Sequence, residues 1–267
     1  MYENRLLLTA AATGIVGEIM GKDGRNAILR IEGINKRFGG LHALRDVSFD
    51  VSRGEKLGLI GPNGSGKTTL FSVISGFVQP NAGSVYLDSE RISGSKPHAI
   101  TKRGLGRTFQ VVRPFVDATV LDNVVVGALK VESNVRQAKE LAETTLERCG
   151  LHDRRFQIAR SLQLVDRKRL EIARILAGDP KVFLLDETMA GLRPREAESA
   201  LELIQSINDD GVTLIIVEHM MRILMSIVDR VVVLNHGQVI GNDSPKVISR
   251  DPKIIEAYLG RNYAETQ

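Results

Sequence analysis

Apolar and polar residues alternate along Ile28–Ile34 (ILRIEGI) and again along Asp46–Val51 (DVSFDV), the period of strands with one buried face. Lys56–Ile60 (KLGLI) is a short apolar run that ends on a glycine-rich turn. The residues after that turn predict a helix over Lys67–Ile74, with Gly76 as its stop signal. Ser84–Leu87 predicts a further strand, so the first part of the chain is strand-rich. The period then changes. Val135, Ala138, Leu141, Ala142, Thr145, Leu146 and Cys149 recur at helical spacing and define one apolar face. Charges fill the other face, Arg136 with Glu140 and Lys139 with Glu143, and Gly150 ends the helix. A second helix is predicted over Asp166–Ala177, closed by Gly178 and Pro180. In the last third Val182–Leu185 is an apolar strand and Glu196–Asn208 a helix. Val212–Val217 and Arg230–Leu234 are continuous β-branched runs, which suit a parallel sheet covered on both faces. Strand, helix and strand in succession predict an α/β core.

Composition leaves that picture intact and removes alternatives. Of 267 residues 43% are hydrophobic and 25% charged, ordinary globular values that exclude disordered and fibrous classes. Lys and Arg exceed Asp and Glu by four, too mild a balance to demand an anionic partner. Tryptophan is absent and aromatics are 4%, which argues against a base-stacking surface, so no nucleic-acid partner is expected. Cys149 is the single cysteine, so no intrachain disulfide can form and a reducing compartment is the simpler reading. Leu6–Met20 is apolar at first but short and interrupted by Glu18, below the roughly 20 residues a spanning helix needs. A weak signal peptide is conceivable there; residues 1–27 are expected to be a peripheral extension, with Met20 as an alternative start.

Gly61, Pro62, Asn63, Gly64, Ser65, Gly66, Lys67 and Thr68 spell GPNGSGKT, a P-loop, between a predicted strand and a predicted helix. Glycines let several backbone N–H groups curl toward one phosphate chain, and the helix N-terminus adds partial positive charge. Lys67 is placed to neutralise the outer phosphates, Thr68 to offer its hydroxyl to Mg²⁺, and Thr69 follows within the same binding segment. Val182–Glu187 (VFLLDE) buries four apolar residues and delivers Asp186 and Glu187 to the C-terminal end of a strand. Asp186 can hold the Mg²⁺ shell and Glu187 can orient and deprotonate an attacking water. Alone this is only a strand ending in two acids; the P-loop upstream gives it a purpose.

From about Ile28 to Gly260 the chain resembles the ATP-binding subunits of ABC transporters, most of all the branched-chain amino acid uptake group. The stretches that carry the resemblance are KRFGGLHALRDVSF, GLGRTFQ, TVLDNVVVG, RLEIARILA, AGLRP and IEAYLG. It implies a RecA-like α/β P-loop NTPase core with an antiparallel β subdomain and an inserted α-helical subdomain. The expected division is 28–95 and 161–245 for the core, 96–160 for the helical part and 246–267 for a C-terminal segment. The resemblance also implies roles. Phe38 would stack on adenine, where otherwise it reads as a core residue. Gln110 would reach Mg²⁺ or the attacking water while its loop touches a membrane subunit. His219 would contact the γ-phosphate, and Ala190, Gly191 and Leu192 would pass between two subunits.

One motif departs from the family. Where a signature such as LSGGQ or LSYGQ stands, this chain has Leu162, Gln163, Leu164, Val165 and Asp166. The serine hydroxyl and the glycine are gone. Val165 is expected to resist a positive φ, and Asp166 to place a negative charge where phosphate should sit. The resemblance therefore implies an MgATP-hydrolysing subunit of an importer, peripheral on the inner face of the plasma membrane. Its implied partners are permease subunits, a second ATP-binding subunit, either a copy of this chain or a different one whose signature is intact, and, indirectly, an external solute-binding protein. Branched-chain amino acids, amides, urea and aromatic acids are all solutes of such relatives. A regulatory subunit with little turnover and a soluble, non-transport ABC ATPase are the competing readings.

Overall fold

A computed structural model describes residues 26–259. The chain runs β1 (Ala27–Phe38), β2 (Leu41–Ser52), β3 (Lys56–Ile60), α1 (Lys67–Ile74), β4 (Ala82–Leu87), β5 (Glu90–Arg91), α2 (Pro97–Lys102) and β6 (Leu105–Arg107). Three helices follow: α3 (Val120–Ala128), α4 (Val135–Arg148) and α5 (Leu164–Leu176). The chain returns as β7 (Val182–Asp186), α6 (Pro194–Asp209), β8 (Thr213–Val217), α7 (Met221–Ile227), β9 (Arg230–Asn235), β10 (Gln238–Asp243), α8 (Pro245–Ile248) and α9 (Pro252–Leu259).

These strands make two sheets. One has the order β2-β1-β4-β5 and is antiparallel. The other has the order β10-β9-β3-β8-β7-β6 and is parallel except for its β10 edge. The β-branched runs are the middle of this second sheet, and their alternation divides the interior in two. Val182, Leu184, Ile215, Val217, Val232 and Leu234 face one side, where α1 supplies Leu70, Phe71, Val73 and Ile74 and the antiparallel sheet supplies Ile31, Leu44, Val47 and Phe49. Phe183, Leu185, Leu214, Ile216, Val231 and Val233 face the other side, against α6, α7 and the helices α3 to α5. A strand buried on both faces has no polar position to spare, which is why these segments read as unbroken apolar runs. Cys149, at the C-terminal cap of α4, is packed into this second cluster; burial pushes its thiol up to about 12, so it behaves as an apolar side chain.

Differences from the sequence reading are local. The helix expected over Lys67–Ile74 has those bounds, whereas α5 starts at Leu164, two residues before the expected Asp166. Within the stretch 96–160 drawn as helical, Leu105–Arg107 pairs in parallel with β7 and so lies on the large sheet. Conversely α5, assigned above to the core range, packs against α3 and α4. The expected extension over residues 1–27 lies outside the described residues except for Asn26 and Ala27, and Ala27 already opens β1.

Candidate functional site

The site lies at the C-terminal ends of β3, β7 and β8. Between β3 and α1 the P-loop backbone takes left-handed turns at Gly64 (φ 79°) and Gly66 (φ 111°), and Gly61 has φ 155°. Two of these glycines are required by space as well. A Cβ on Gly61 would stand 2.1 Å from the Leu234 carbonyl, and one on Gly66 2.8 Å from the Ala43 carbonyl. The loop is thus clamped between β9 and β2. At Gly64 a Cβ would meet nothing within 4 Å, so that turn faces the open cleft. The β9–β10 turn braces the loop further: Gly237 N–H donates to the Ser65 carbonyl (2.9 Å), and Arg45 N–H donates to the Gly237 carbonyl (2.8 Å).

A cleft of about 550 Å³ opens over the loop. Its walls include Asn63 to Thr69 on the floor, Phe38, His42 and Arg45 on one flank, and Gln110, Glu187 and His219 on the other. Phe38 is 46% exposed, which removes the core-residue reading. It ends β1 at a Gly39–Gly40 turn, and the Lys36 ammonium lies 4.9 Å from its ring centroid. Lys67 folds back to donate to the carbonyls of Gly61 (2.6 Å) and Pro62 (3.1 Å). Burial lowers its pKa, opposed by the charges of Glu187 and Asp186. Ser65 Oγ is buried with no hydrogen-bond partner. Left-handed glycines, a helix N-terminus at Lys67 and a half-buried ammonium are what a phosphate chain needs, so the residues present fit a nucleoside triphosphate.

Glu187 is the convergence point. It follows β7 with φ 53°, an unusual conformation for a non-glycine residue. Lys168 of α5 holds that turn by donating to the carbonyls of Glu187 (3.1 Å) and Ala190 (2.7 Å). Glu218, at the end of β8, holds the same turn by accepting from Met189 N–H (2.8 Å) and the Thr188 hydroxyl (3.2 Å); burial raises its pKa. The carboxylate so oriented accepts from Gln110 Nε2 at 2.9 Å and from His219 Nε2 at 2.7 Å. Two donors from two separate segments therefore share one carboxylate.

Asp186, one residue earlier, is almost fully buried and faces the buried Arg107 guanidinium at 3.3 Å. Burial pushes its carboxyl up and Arg107 opposes the shift. Of the three residues expected to hold Mg²⁺, Thr68 and Gln110 line the cleft and Asp186 lies at the end of β7 next to Glu187; each carries an oxygen of the kind a hard divalent cation takes.

The variant loop behaves differently from the sequence expectation. Val165 lies inside α5, and no residue from 162 to 166 has a positive φ, so its branched side chain meets no backbone demand. Asp166 is 5% exposed and pairs with Arg154, so its charge is spent within the helical unit and is not offered to the surface. Two departures remain: the missing serine hydroxyl, and Leu164, 47% exposed, with a methyl 3.2 Å from where a Cβ on Gly191 would be.

Sequence reasoning overlooked several neighbours of the site. His236, in a left-handed turn with φ 46°, lines the cleft; the Asn-His-Gly stretch after an apolar strand was a hairpin signal. Arg107 and Glu171 are buried polar residues with no local pattern. Glu171 accepts from Phe109 N–H at 3.2 Å, beside Gln110.

Comparison with known proteins shows the family and the fold. Residues 44–190 match the family model described as ABC transporter. The chain is 38% identical over 249 residues to the high-affinity branched-chain amino acid transport ATP-binding protein LivG of Escherichia coli (strain K12), covering 87% of this chain and 98% of that one. Its fold is similar to the crystal structure of the ADP conformation of MJ1267, an ATP-binding cassette of an ABC transporter, with a TM-score of 0.79 at 32% identity over 88% of this chain and 99% of that one. It also resembles the dimeric structure of MJ0796, a bacterial ABC transporter cassette, with a TM-score of 0.74 at 25% identity over 81% of this chain and 98% of that one. The α/β core, antiparallel subdomain and helical insertion are the architecture of these cassettes.

Proposed function

The chain belongs to the ABC transporter ATP-binding family, and from that premise we propose that it is the ATP-hydrolysing subunit of an importer for branched-chain amino acids or related small solutes. The observation that carries the hydrolytic reading is Glu187, oriented by its own backbone turn and held between Gln110 and His219 at the edge of the P-loop cleft.

In this reading Phe38 stacks on the adenine and the P-loop N–H groups bind the phosphates. Lys67 exchanges the carbonyls of Gly61 and Pro62 for the outer phosphates, which favours its charged form. Thr68, Asp186 and Gln110 would hold Mg²⁺, which would supply charge neutralisation for the phosphoryl oxygens. Glu187 accepts the proton of a water in line with the γ-phosphate, and His219 fixes the carboxylate from the opposite side. Gln110 links this pair to its own loop, so displacement of the loop pulls on the base.

The partners we propose are two permease subunits, a second ATP-binding subunit and, indirectly, an external solute-binding protein. Among the described residues no helix is long and apolar enough to cross a membrane. We propose that the chain sits peripherally on the cytoplasmic face of the plasma membrane, a reading supported by its likeness to ATP-binding proteins of transport systems. The exposed Leu164 and the absence of a hydroxyl from 163–166 favour a second subunit of different sequence, one whose own loop completes the site built on Lys67, Glu187 and His219. Uptake of labelled leucine by cells lacking the gene tests the proposal. Uptake should fall, return with the native gene, and stay low with Glu187→Gln. Unchanged leucine uptake would reject the solute, and full rescue by Glu187→Gln would reject the role of the base.

A further inference from the structure

Arg107 lines no part of the nucleotide cleft, yet its guanidinium is almost completely buried and is linked to Asp186 directly and to the Thr68 backbone through Ser72. Through Nη2 it faces Asp186 at 3.3 Å. Through Nη1 it donates to Ser75 Oγ at 2.9 Å, at the C-terminal cap of α1, and to Ser72 Oγ at 3.3 Å, within α1. Those hydroxyls donate onward, Ser72 to the Thr68 carbonyl at 2.7 Å and Ser75 to the Phe71 carbonyl at 2.6 Å. A continuous polar chain therefore runs from the Asp186 carboxylate, through Arg107 and Ser72, to the backbone of Thr68. Three rings surround the cation: Phe109 at 5.0 Å, Phe71 at 5.7 Å and Phe77 at 6.0 Å from its centre. From the other side the Thr108 hydroxyl accepts the Asp186 N–H at 2.9 Å.

A buried ion pair is a poor source of stability, since apolar residues of similar volume often do as well. Its retention beside the site calls for another reason. Thr68 lies on α1 and Asp186 at the end of β7, two separate segments that must present oxygens to one small cation at a fixed separation. We infer that Arg107 is a positioning residue for the divalent cation: it locks the Asp186 carboxylate to the Thr68 turn of α1 and thereby sets the spacing of the two ligands. This rests on the reading of Thr68 and Asp186 as cation ligands. Arg107 also sits three residues before Gln110 in the loop that reports to Glu187, so a shift of that loop would disturb the cation ligands and the base together.

The test is Mn²⁺ affinity, read by electron paramagnetic resonance with a saturating non-hydrolysable ATP analogue, beside the analogue's affinity without metal. Arg107→Met should weaken Mn²⁺ about tenfold and change the metal-free affinity by less than about twofold, while Arg107→Lys recovers part of the loss. Should Arg107→Met fail to fold, Ser72→Ala with Ser75→Ala cuts the link to α1 while keeping the Arg107–Asp186 pair, and it should weaken Mn²⁺ by about threefold. Native Mn²⁺ affinity in the folded Arg107→Met protein, or in the double serine variant where that one does not fold, overturns the proposal. Asp186→Asn separates the two readings: if it loses Mn²⁺ while the Arg107 and serine variants do not, the cation site stands and the positioning role falls. If Asp186→Asn keeps native Mn²⁺ affinity, the cation reading falls and the proposal with it.

Discussion

Glu187 and His219 meet at 2.7 Å across the gap between β7 and β8, carboxylate to imidazole, at the rim of the cleft that holds Lys67. A carboxylate only accepts hydrogen bonds when ionised, so the imidazole must donate through Nε2. Glu187 keeps acceptor capacity for a water while its orientation is fixed from two sides. Glu187→Gln should preserve ATP affinity and lower turnover by about 100-fold or more, the loss expected of a general base. His219→Ala leaves the base in place but loosens it, so its loss should be smaller. Phosphate release and titration with a fluorescent ATP analogue measure both, and turnover retained by Glu187→Gln would remove that residue from the role.

Phe38 offers nearly half its surface to solvent at the cleft edge, an apolar face with no packing role to justify it. Stacking on a base contributes about 1–3 kcal/mol, so Phe38→Ala should weaken ATP binding by roughly tenfold. Inorganic tripolyphosphate has no ring to stack, and its affinity should not change. Equal losses for both ligands would show that Phe38 shapes the loop and does not hold the base.

Burial pushes the Glu171 carboxyl up to about 7, against the opposing effects of the Phe109 N–H, Arg174 and Lys168. The unfolded chain ionises this group near its ordinary value of 4.5, well before the folded protein does. Its contribution to stability is therefore lost as pH rises from 4.5 to about 7, and the loss is complete above that window. Glu171→Gln keeps an acceptor for Phe109 N–H and does not titrate. The stability of the native protein relative to this variant should fall by roughly 3 kcal/mol between pH 5 and 8. Urea unfolding of both proteins at several pH values measures it, and a difference independent of pH would show that Glu171 titrates normally.

Much of this was legible in the sequence because it is encoded locally. The helix Lys67–Ile74 follows a strand and a glycine run, and the β-branched segments report a sheet buried on both faces. The acids at the end of β7 are placed by the four apolar residues before them. What escaped has no local period. β6 is three residues long, too short to show an alternation, yet it carries Arg107. α3 reads VLDNVVVGA, a β-branched run that resembles a strand; its sign was Thr119, whose hydroxyl caps the helix at Asp122 N–H. Asp166 is the buried member of a pair with the exposed Arg154, twelve residues away through a loop, so its charge read as exposed from sequence and is neutralised in the fold.

That pair changes how the variant loop should be repaired. Restoring LSYGQ in full replaces Gln163, Leu164, Val165 and Asp166, and so removes the partner of Arg154 from a nearly buried position. The departures on the surface are the missing hydroxyl and the exposed Leu164, which Gln163→Ser and Leu164→Tyr address, and Val165→Gly completes the family pattern while Asp166 stays paired. The glycine near the start of α5 costs about 1 kcal/mol of helix stability, small against the loss of a phosphate-facing donor. One such donor is worth about 100- to 1000-fold in rate in other hydrolytic sites. If this loop is the weak half of each site in a homodimer, the triple variant should hydrolyse ATP at least about tenfold faster than the native protein at concentrations where both dimerise. Mixing the native chain with an excess of the Lys67→Ala form of the triple variant then builds a hybrid. One site of that hybrid joins the native Lys67, Glu187 and His219 to a repaired loop from the partner, and activity per native chain should rise. Fast hydrolysis by the native protein alone, with no gain from repair or mixing, would show that Gln163 and Leu164 close over nucleotide as well as the residues they replace.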